Sequence, residues 1–130
     1  MDVTRRIELD ASYDDAIERV EDALEDQGFG VLTEIGGRQT LRDELDIDVD
    51  PQSILGACNP QLAHRALEID QRVAALLPCN VVVRTDNGRT IVEALDPMLI
   101  AEIPGNPALT PIAEEAGQRI QAALDALANA

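Results

Sequence analysis

The sequence predicts an α+β fold, a two-layer sandwich in which helices pack against a mainly antiparallel, curved sheet. A strand, a helix and a second strand come first, further strands follow, and an amphipathic helix closes the chain. Two strand-like stretches flank the tight turn Asp86-Asn87-Gly88, which is typical of an antiparallel hairpin and argues against a purely parallel sheet. The 130 residues contain no internal repeat and no flexible linker, so we expect one domain over residues 1–130.

The first part of the chain predicts two strands and two helices. Apolar and polar residues alternate over residues 3–9, as in a half-buried strand. Ser12 is a typical helix start, apolar residues then recur at helical spacing, and Gly28 supplies the stop. Residues 29–35 predict a second strand, and residues 40–45 predict a short, very polar helix.

A buried strand and a third helix are predicted next. Residues 53–58 are apolar and compact, as expected of a buried strand. In Asn59-Pro60 the asparagine is a helix cap, and the proline takes the first helical position, where no amide donor is needed. The expected core face of this helix consists of Leu62, Ala63, Ala66, Leu67 and Ile69.

The remaining elements are a hairpin and a closing helix. Residues 79–85 give the strongest strand pattern in the chain, and the hairpin turn joins them to residues 90–95. Asp96-Pro97 starts another helical turn, and residues 104–107 form a loop. Thr110-Pro111 is expected to cap the last amphipathic helix.

The charge of the chain indicates its solvent. Twenty-five acidic residues oppose ten basic ones, all of them arginine, and the net charge is −15. Such a chain repels itself in dilute buffer, whereas molar salt shortens the Debye length to about 3 Å and screens that repulsion. We therefore predict a halophilic, haloarchaeal type of adaptation. An ordinary acidic protein or a disordered acidic tail fits less well, because 45% of the residues are hydrophobic and the acids are spread along the chain.

Several partners and compartments are disfavoured by the same composition. Phosphate binding requires a basic stripe, and the ten arginines are scattered, so no nucleic acid is expected. The N-terminal residues contain no signal-type apolar segment, and the longest apolar runs, residues 74–77 and 81–83, are far shorter than the ~20 residues that span a bilayer. We expect a cytoplasmic protein that contacts no membrane, with its two cysteines reduced at rest.

Most enzyme classes find no support in the sequence motifs. The single histidine, His64, excludes multi-histidine metal sites, and neither a Walker loop nor a strand-linked GxGxxG motif occurs. The two cysteines lie too far apart in sequence for a CxxC redox pair. Ser12 and Ser53 are the serines that a triad could use, and neither lies in a nucleophile elbow.

Two matching fragments remain as the candidate site, Gly56-Ala57-Cys58-Asn59-Pro60 and Leu76-Leu77-Pro78-Cys79-Asn80. Each places a Cys-Asn pair at a strand boundary, one where the chain leaves a strand and one where it enters a strand. If those two strands are antiparallel, both pairs lie at the same end of the sheet. If they are parallel, the thiols are a strand length apart and no shared site exists.

The candidate ligand-binding residues are therefore Cys58, Asn59, Cys79 and Asn80, with Asp96 as a weaker candidate. Cys58 immediately precedes a predicted helix N-terminus, which favours a thiolate, and each asparagine offers an amide donor and an acceptor. A purely structural role is the alternative, because free cysteine behaves as a small hydrophobic residue and asparagine is a common cap.

Other polar residues have simpler explanations. Asp96 repeats the cap pattern before a proline, and His64 is expected to face solvent. The acidic residues of the first predicted helix are expected to form a solvated face, not a pair of catalytic carboxylates. These residues are Glu18, Glu21, Asp22 and Glu25.

Three segments resemble the domain-of-unknown-function family numbered 302. They are Gly28-Phe29-Gly30-Val31-Leu32-Thr33-Glu34-Ile35, Ile54-Leu55-Gly56-Ala57-Cys58-Asn59-Pro60 and Leu76-Leu77-Pro78-Cys79-Asn80-Val81-Val82-Val83. The spacing also fits through Asp96-Pro97 and Gly105-Asn106-Pro107, so the resemblance covers nearly the whole chain. It implies a TT1751-like domain, grouped with the TATA-binding-protein-like two-layer sandwiches, and makes a homodimer the expected assembly.

The resemblance supplies no activity, cofactor or catalytic residues. Our leading hypothesis is a cytoplasmic module that binds a small-molecule ligand or a partner at a thiol-lined site. One alternative is a thiol-based redox or sulfur-handling enzyme or carrier, with Cys58 as nucleophile and Cys79 as resolving thiol. A second is binding of a soft metal such as Cu(I) by the two thiols. A scaffold that docks partners on its open sheet face is the fourth hypothesis.

Overall fold

Residues 2–129, which this computed structural model describes, form five strands and five α-helices. The strands are β1 (Thr4–Leu9), β2 (Gly30–Gly36), β3 (Gln52–Cys58), β4 (Cys79–Asp86) and β5 (Arg89–Leu95). The helices are α1 (Tyr13–Asp26), α2 (Gly37–Leu45), α3 (Pro60–Ile69), α4 (Leu99–Glu102) and α5 (Thr110–Ala128). Short 3₁₀ turns cover Gln71–Leu76 and Pro107–Leu109.

The five strands form one sheet in the order β1-β5-β4-β3-β2, and every neighbouring pair is antiparallel. The hairpin between β4 and β5 turns at Asn87 and Gly88, which both adopt positive φ. Gly88 takes this conformation without strain, which is why such turns prefer glycine. The α+β fold with an antiparallel sheet packed by helices, as the sequence predicts, is confirmed.

One face of the sheet carries the main hydrophobic core. Leu55, Val83 and Val92 project from the central strands on this face and are completely buried. They pack against the apolar sides of α1 and α5, which contribute residues such as Val20 and Leu124. We call this cluster the sheet core. On the opposite face, strand positions are more polar, and Arg84 donates a hydrogen bond of 2.6 Å to Glu93 across the hairpin.

A second hydrophobic cluster lies at one end of the sheet, and we call it the end core. Its members come from the start of β4, from α3, α4 and α5, and from the 3₁₀ turns between them. They are Leu62, Ala66, Val73, Cys79, Ile100, Ala101, Leu109, Ile112, Ala113 and Ala116. Apart from α5, the elements around it are short, and Asp70 and Asn106 cap the two 3₁₀ turns with their side chains.

Three local predictions are wrong. The polar helix α2 begins at Gly37, directly after β2, and not at residue 40. Ile69, which we expected on the core face of α3, is 41% exposed because the helix ends there. Thr110 is the first residue of α5 and not its cap, since the preceding 3₁₀ turn already sets the helical conformation at Leu109.

The other boundaries fall close to those predicted. Ser12 accepts a hydrogen bond from the amide of Asp15 and so caps α1, and Gly28 follows the helix with a φ of 84°. Within residues 2–129, no helix combines the length and the apolar character needed to cross a lipid bilayer.

Candidate functional site

The antiparallel pairing of β3 with β4 brings the two Cys-Asn pairs to the same end of the sheet. Cys58 is the last residue of β3, Cys79 is the first of β4, and Ala57 lies directly opposite Cys79. Opposite residues of antiparallel strands are about 5 Å apart and one residue adds about 3.4 Å, so the Cα atoms of the two cysteines lie about 6 Å apart. Because Ala57 and Cys79 are directly opposite, their side chains share one face of the sheet, and the side chain of Cys58, one residue further along β3, projects toward the other face.

Both cysteines line a small cavity between the sheet core and the end core. Its walls are almost wholly apolar. Helices α3, α4 and α5 and two connecting segments contribute Leu62, Ala66, Ile100, Ile112, Phe29 and Leu77. The cavity volume is about 30 Å³. This is close to the volume that one water molecule occupies in the liquid, and far below the roughly 300–1,000 Å³ of ordinary ligand pockets. The cavity therefore admits a guest of about one heavy atom.

The two thiols have different environments. Cys58 is half-buried, whereas Cys79 is only 5% exposed. Burial, and to a smaller extent the neighbouring Cys58, raise the pKa of the Cys79 thiol from 9.0 to about 11. A buried thiolate would lose its hydration without gaining a compensating charge, so Cys79 stays protonated at neutral pH. Cys58 is the thiol that a reagent from solvent can reach first.

Asn59 also lines the cavity and has a clear structural role. Its Oδ1 atom accepts a hydrogen bond of 3.1 Å from the amide of Leu62 and caps α3, as predicted. The residue is buried, and its Nδ2 atom lies so near Gly28 that a Cβ atom there would approach it to 3.0 Å. The capping hydrogen bond and the close contact with Gly28 together fix the start of α3 beside Cys58.

Asn80 and Asp96 do not line the cavity. Asn80 follows Cys79 on β4, so its side chain projects to the opposite face of the sheet, where it is exposed. Asp96 accepts hydrogen bonds from the Arg5 guanidinium at 3.2 Å and from the amide of Met98 at 3.0 Å. Of the five candidate residues, the structure brings together Cys58, Asn59 and Cys79.

The cavity contains no acid–base group besides the thiols. Among its lining residues, Cys58 and Cys79 are the titratable ones. His64 points away on α3, where its side chain is 76% exposed and its Nδ1 atom lies 3.1 Å from Glu68. Across residues 2–129 no three histidine, cysteine or carboxylate side chains are grouped in a way that could hold a metal ion.

The cavity walls could not be predicted from the sequence. The helical spacing of Leu62 with Ala66, and of Ile112 with Ala116, identifies core positions but does not reveal that a void lies between them. Ile100 contributes from α4, a helix of four residues that gives almost no periodic signal. The pair of Cys-Asn motifs was the one signal of the site present in the sequence.

The fold and cavity define a compact α+β domain with a thiol-lined void where its two hydrophobic clusters meet. Residues 5–127 match the family model of the domain of unknown function DUF302, and the chain belongs to this family. A crystal structure of an uncharacterised conserved DUF302 protein from Bacillus stearothermophilus is similar over 98% of this chain and 99% of that one, with a TM-score of 0.92 and 32% sequence identity. A search of curated proteins gave no match.

Proposed function

We propose that this protein is a small binding module, without catalytic chemistry of its own, whose site is the cavity between Cys58 and Cys79. One observation carries the proposal: two cysteines that are remote in sequence line the same void. An apolar cavity with a few polar or reactive groups is the usual form of a ligand site.

The polarity of the cavity supports binding over catalysis. A thiol enzyme that forms a disulfide needs a second thiolate to attack the first sulfur, and burial keeps Cys79 protonated. A nucleophilic cysteine is usually activated by a neighbouring base, and the lining residues include none. The redox-enzyme alternative is therefore the weaker one.

The size of the cavity limits what can bind. A volume of about 30 Å³ excludes sugars, nucleotides and other organic metabolites from the interior. The guest is either a single heavy atom or a thiophilic group that reacts with Cys58 from the outside. A binding role then differs from simple packing in one respect: the half-buried Cys58 must be reachable from solvent in the folded protein.

Alkylation of the folded protein by iodoacetamide tests the proposal. We expect Cys58 to react in molar KCl without denaturant and Cys79 to react only after unfolding, with mass spectrometry of peptides as the readout. Cys58→Ser should remove the native-state reaction. If neither thiol reacts until the protein unfolds, both cysteines are packing residues and the proposal fails.

A filling variant tests whether the cavity controls that reaction. Ala63 is half-buried on α3 and lines the cavity, so Ala63→Leu should obstruct it and slow the alkylation of Cys58. Ala126→Leu places the same side chain on an exposed position of α5 and is the matched control, with an unchanged rate. Equal rates in the two variants would separate Cys58 from the cavity.

A further inference from the structure

We propose that a second copy of this chain docks on the outer face of the sheet, which is the face opposite the sheet core. Three features carry the proposal, and none of them depends on the cavity. They are an apolar row that crosses the outer face, the balance of the charges beside this row, and the large negative charge of the chain as a whole.

The apolar row consists of Ile35, Ile54 and Val82. These residues lie directly opposite one another on β2, β3 and β4, so their side chains project to the same side of the sheet. Ile35 is 52% exposed, and Ile54 and Val82 are half-buried. Their neighbours Leu55 and Val83, which project to the sheet core, are completely buried. A sheet face that meets only water is normally polar, whereas an apolar patch with a polar rim is typical of a protein–protein contact.

The charges beside the apolar row cancel. Three arginines and three carboxylates project from β1, β4 and β5 to the outer face: Arg6, Arg84 and Arg89, with Glu8, Asp86 and Glu93. They are paired within the chain, as in Arg84 with Glu93 at 2.6 Å and Arg89 with Glu8 at 3.2 Å. The outer face can therefore be covered by a neutral surface without leaving an unpaired charge in the contact.

The total charge of −15 favours a second copy as the occupant. Two such chains repel each other where acidic surfaces meet, and the outer face, without net charge, avoids that repulsion. A basic protein would be attracted to the acidic surfaces instead, and a nucleic acid requires a basic stripe. In an isologous contact the same face of both copies meets, so the apolar row of one covers the apolar row of the other. Packed sheets lie about 10 Å apart, which brings the two rows into contact.

The oligomeric state of the full chain tests the proposal. We expect sedimentation equilibrium in molar KCl to show a dimer. Ile35→Glu and Val82→Glu should each raise its dissociation constant by more than about 100-fold, because an isologous interface receives two carboxylates without partners. Circular dichroism checks the folding of both variants. Ile35→Glu changes an exposed position of an edge strand, so it separates association from folding.

Ile103→Glu is the matched control. Ile103 follows α4 outside the sheet, is 62% exposed and gains the same charge, so this variant should dimerise like the original chain. A monomeric original chain would overturn the proposal, as would a dimer that Ile35→Glu leaves intact, since another surface would then hold the copies together.

The salt dependence of the dimer gives a second readout. Association should strengthen as KCl rises toward molar concentration, because screening reduces the repulsion between two acidic chains. A dimer that weakens with salt would be held by charge pairs between the copies and not by the apolar row, and would contradict the proposal.

Discussion

The sheet core and the end core differ in the regularity of the elements that enclose them, and the cavity lies where the two clusters meet. The sheet core joins two regular layers, and large side chains such as Leu55 and Val83 interdigitate with those of α1 and α5. The end core is enclosed by α3, α4, the two 3₁₀ turns and the first part of the long helix α5, and it contains several alanines, among them Ala66 and Ala116. These less regular elements and small side chains do not fill every gap, so a void remains between the two clusters.

The difference shows how this fold makes room for a site. Phe29 and Ala57 reach the cavity from the sheet core, and Cys79, Leu62 and Ile112 reach it from the end core. A guest bound at this junction, as we propose, would contact both clusters at once. Three predictions test whether the clusters differ in this way.

The largest effect is expected from truncating the sheet core. Leu55 is completely buried, so Leu55→Ala should lower the free energy of unfolding by about 2–5 kcal/mol. Leu62→Ala removes a side chain that already borders the cavity, so its free energy of unfolding should fall by an amount at the low end of that range. Urea unfolding in molar KCl measures both.

The same two variants should differ in reactivity. Leu62→Ala widens the cavity and should speed the alkylation of Cys58, whereas Leu55→Ala should leave it unchanged. Equal losses of stability together with equal reactivity would show that the two clusters form a single packed core.

An intermediate effect is expected at high pH in the end core. Below pH 9 the thiol of Cys79 is protonated in both the folded and the unfolded chain. Between about pH 9 and pH 11 the unfolded chain releases this proton and the folded chain retains it, because its pKa is raised to about 11. The free energy of unfolding should therefore fall by about 2 kcal/mol over this range.

Cys79→Ala isolates this contribution. Every other ionisable group is the same in both proteins, so the difference between the original chain and the variant reports on Cys79 alone. Urea titrations at about pH 8 and about pH 11 provide the measurement. A variant that loses as much stability as the original chain would show that the Cys79 thiol titrates normally.

The smallest effect concerns the charge above the sheet core. The pKa of Glu21 on α1 is raised, first by partial burial and then by the nearby carboxylates of Glu34 and Glu25. Helix α3, which covers the end core, instead pairs its charges, as in Arg65 with Glu115 at 3.5 Å. Glu21→Gln should stabilise the protein by about 0.5 kcal/mol in dilute buffer, and molar KCl should reduce this gain by screening.

Glu114→Gln, an exposed position of α5, removes one charge without removing that cluster and serves as the control for the melting experiment. A gain for Glu21→Gln that is equally large in molar KCl would point to burial instead of repulsion. It would also count against the high-salt adaptation, which stays a prediction, as do the homodimer and the cytoplasmic location.

Much of the fold could be predicted from local signals in the sequence. Caps such as Ser12 and Asn59 and the turn at Asn87-Gly88 act over three or four residues, so their effect can be predicted without knowing the rest of the chain. The sequence also predicted that the two Cys-Asn pairs lie at the same end of the sheet if their strands are antiparallel, and β3 and β4 are antiparallel.

Properties that depend on distant contacts were not predictable. The 3₁₀ turn Gln71–Leu76 has no helical period, and its shape follows from Val73 packing into the end core. The apolar spacing of α3 extended to Ile69, but nothing in the final fold covers the last turn of the helix, and Ile69 is exposed. The candidate site was predictable as a pair of thiols, and its volume was not, because a void is the difference between many packed surfaces.

The position of β1 has a consequence for how the chain folds during synthesis. Strand β1 pairs with β5 alone, so that Thr4 lies opposite Leu95. Strand β1 therefore remains without its partner until β5, which begins at Arg89, has been synthesised. Closure of so long a loop is slow. While β1 is unpaired, the charges of Arg5, Arg6 and Glu8 oppose its aggregation with other chains.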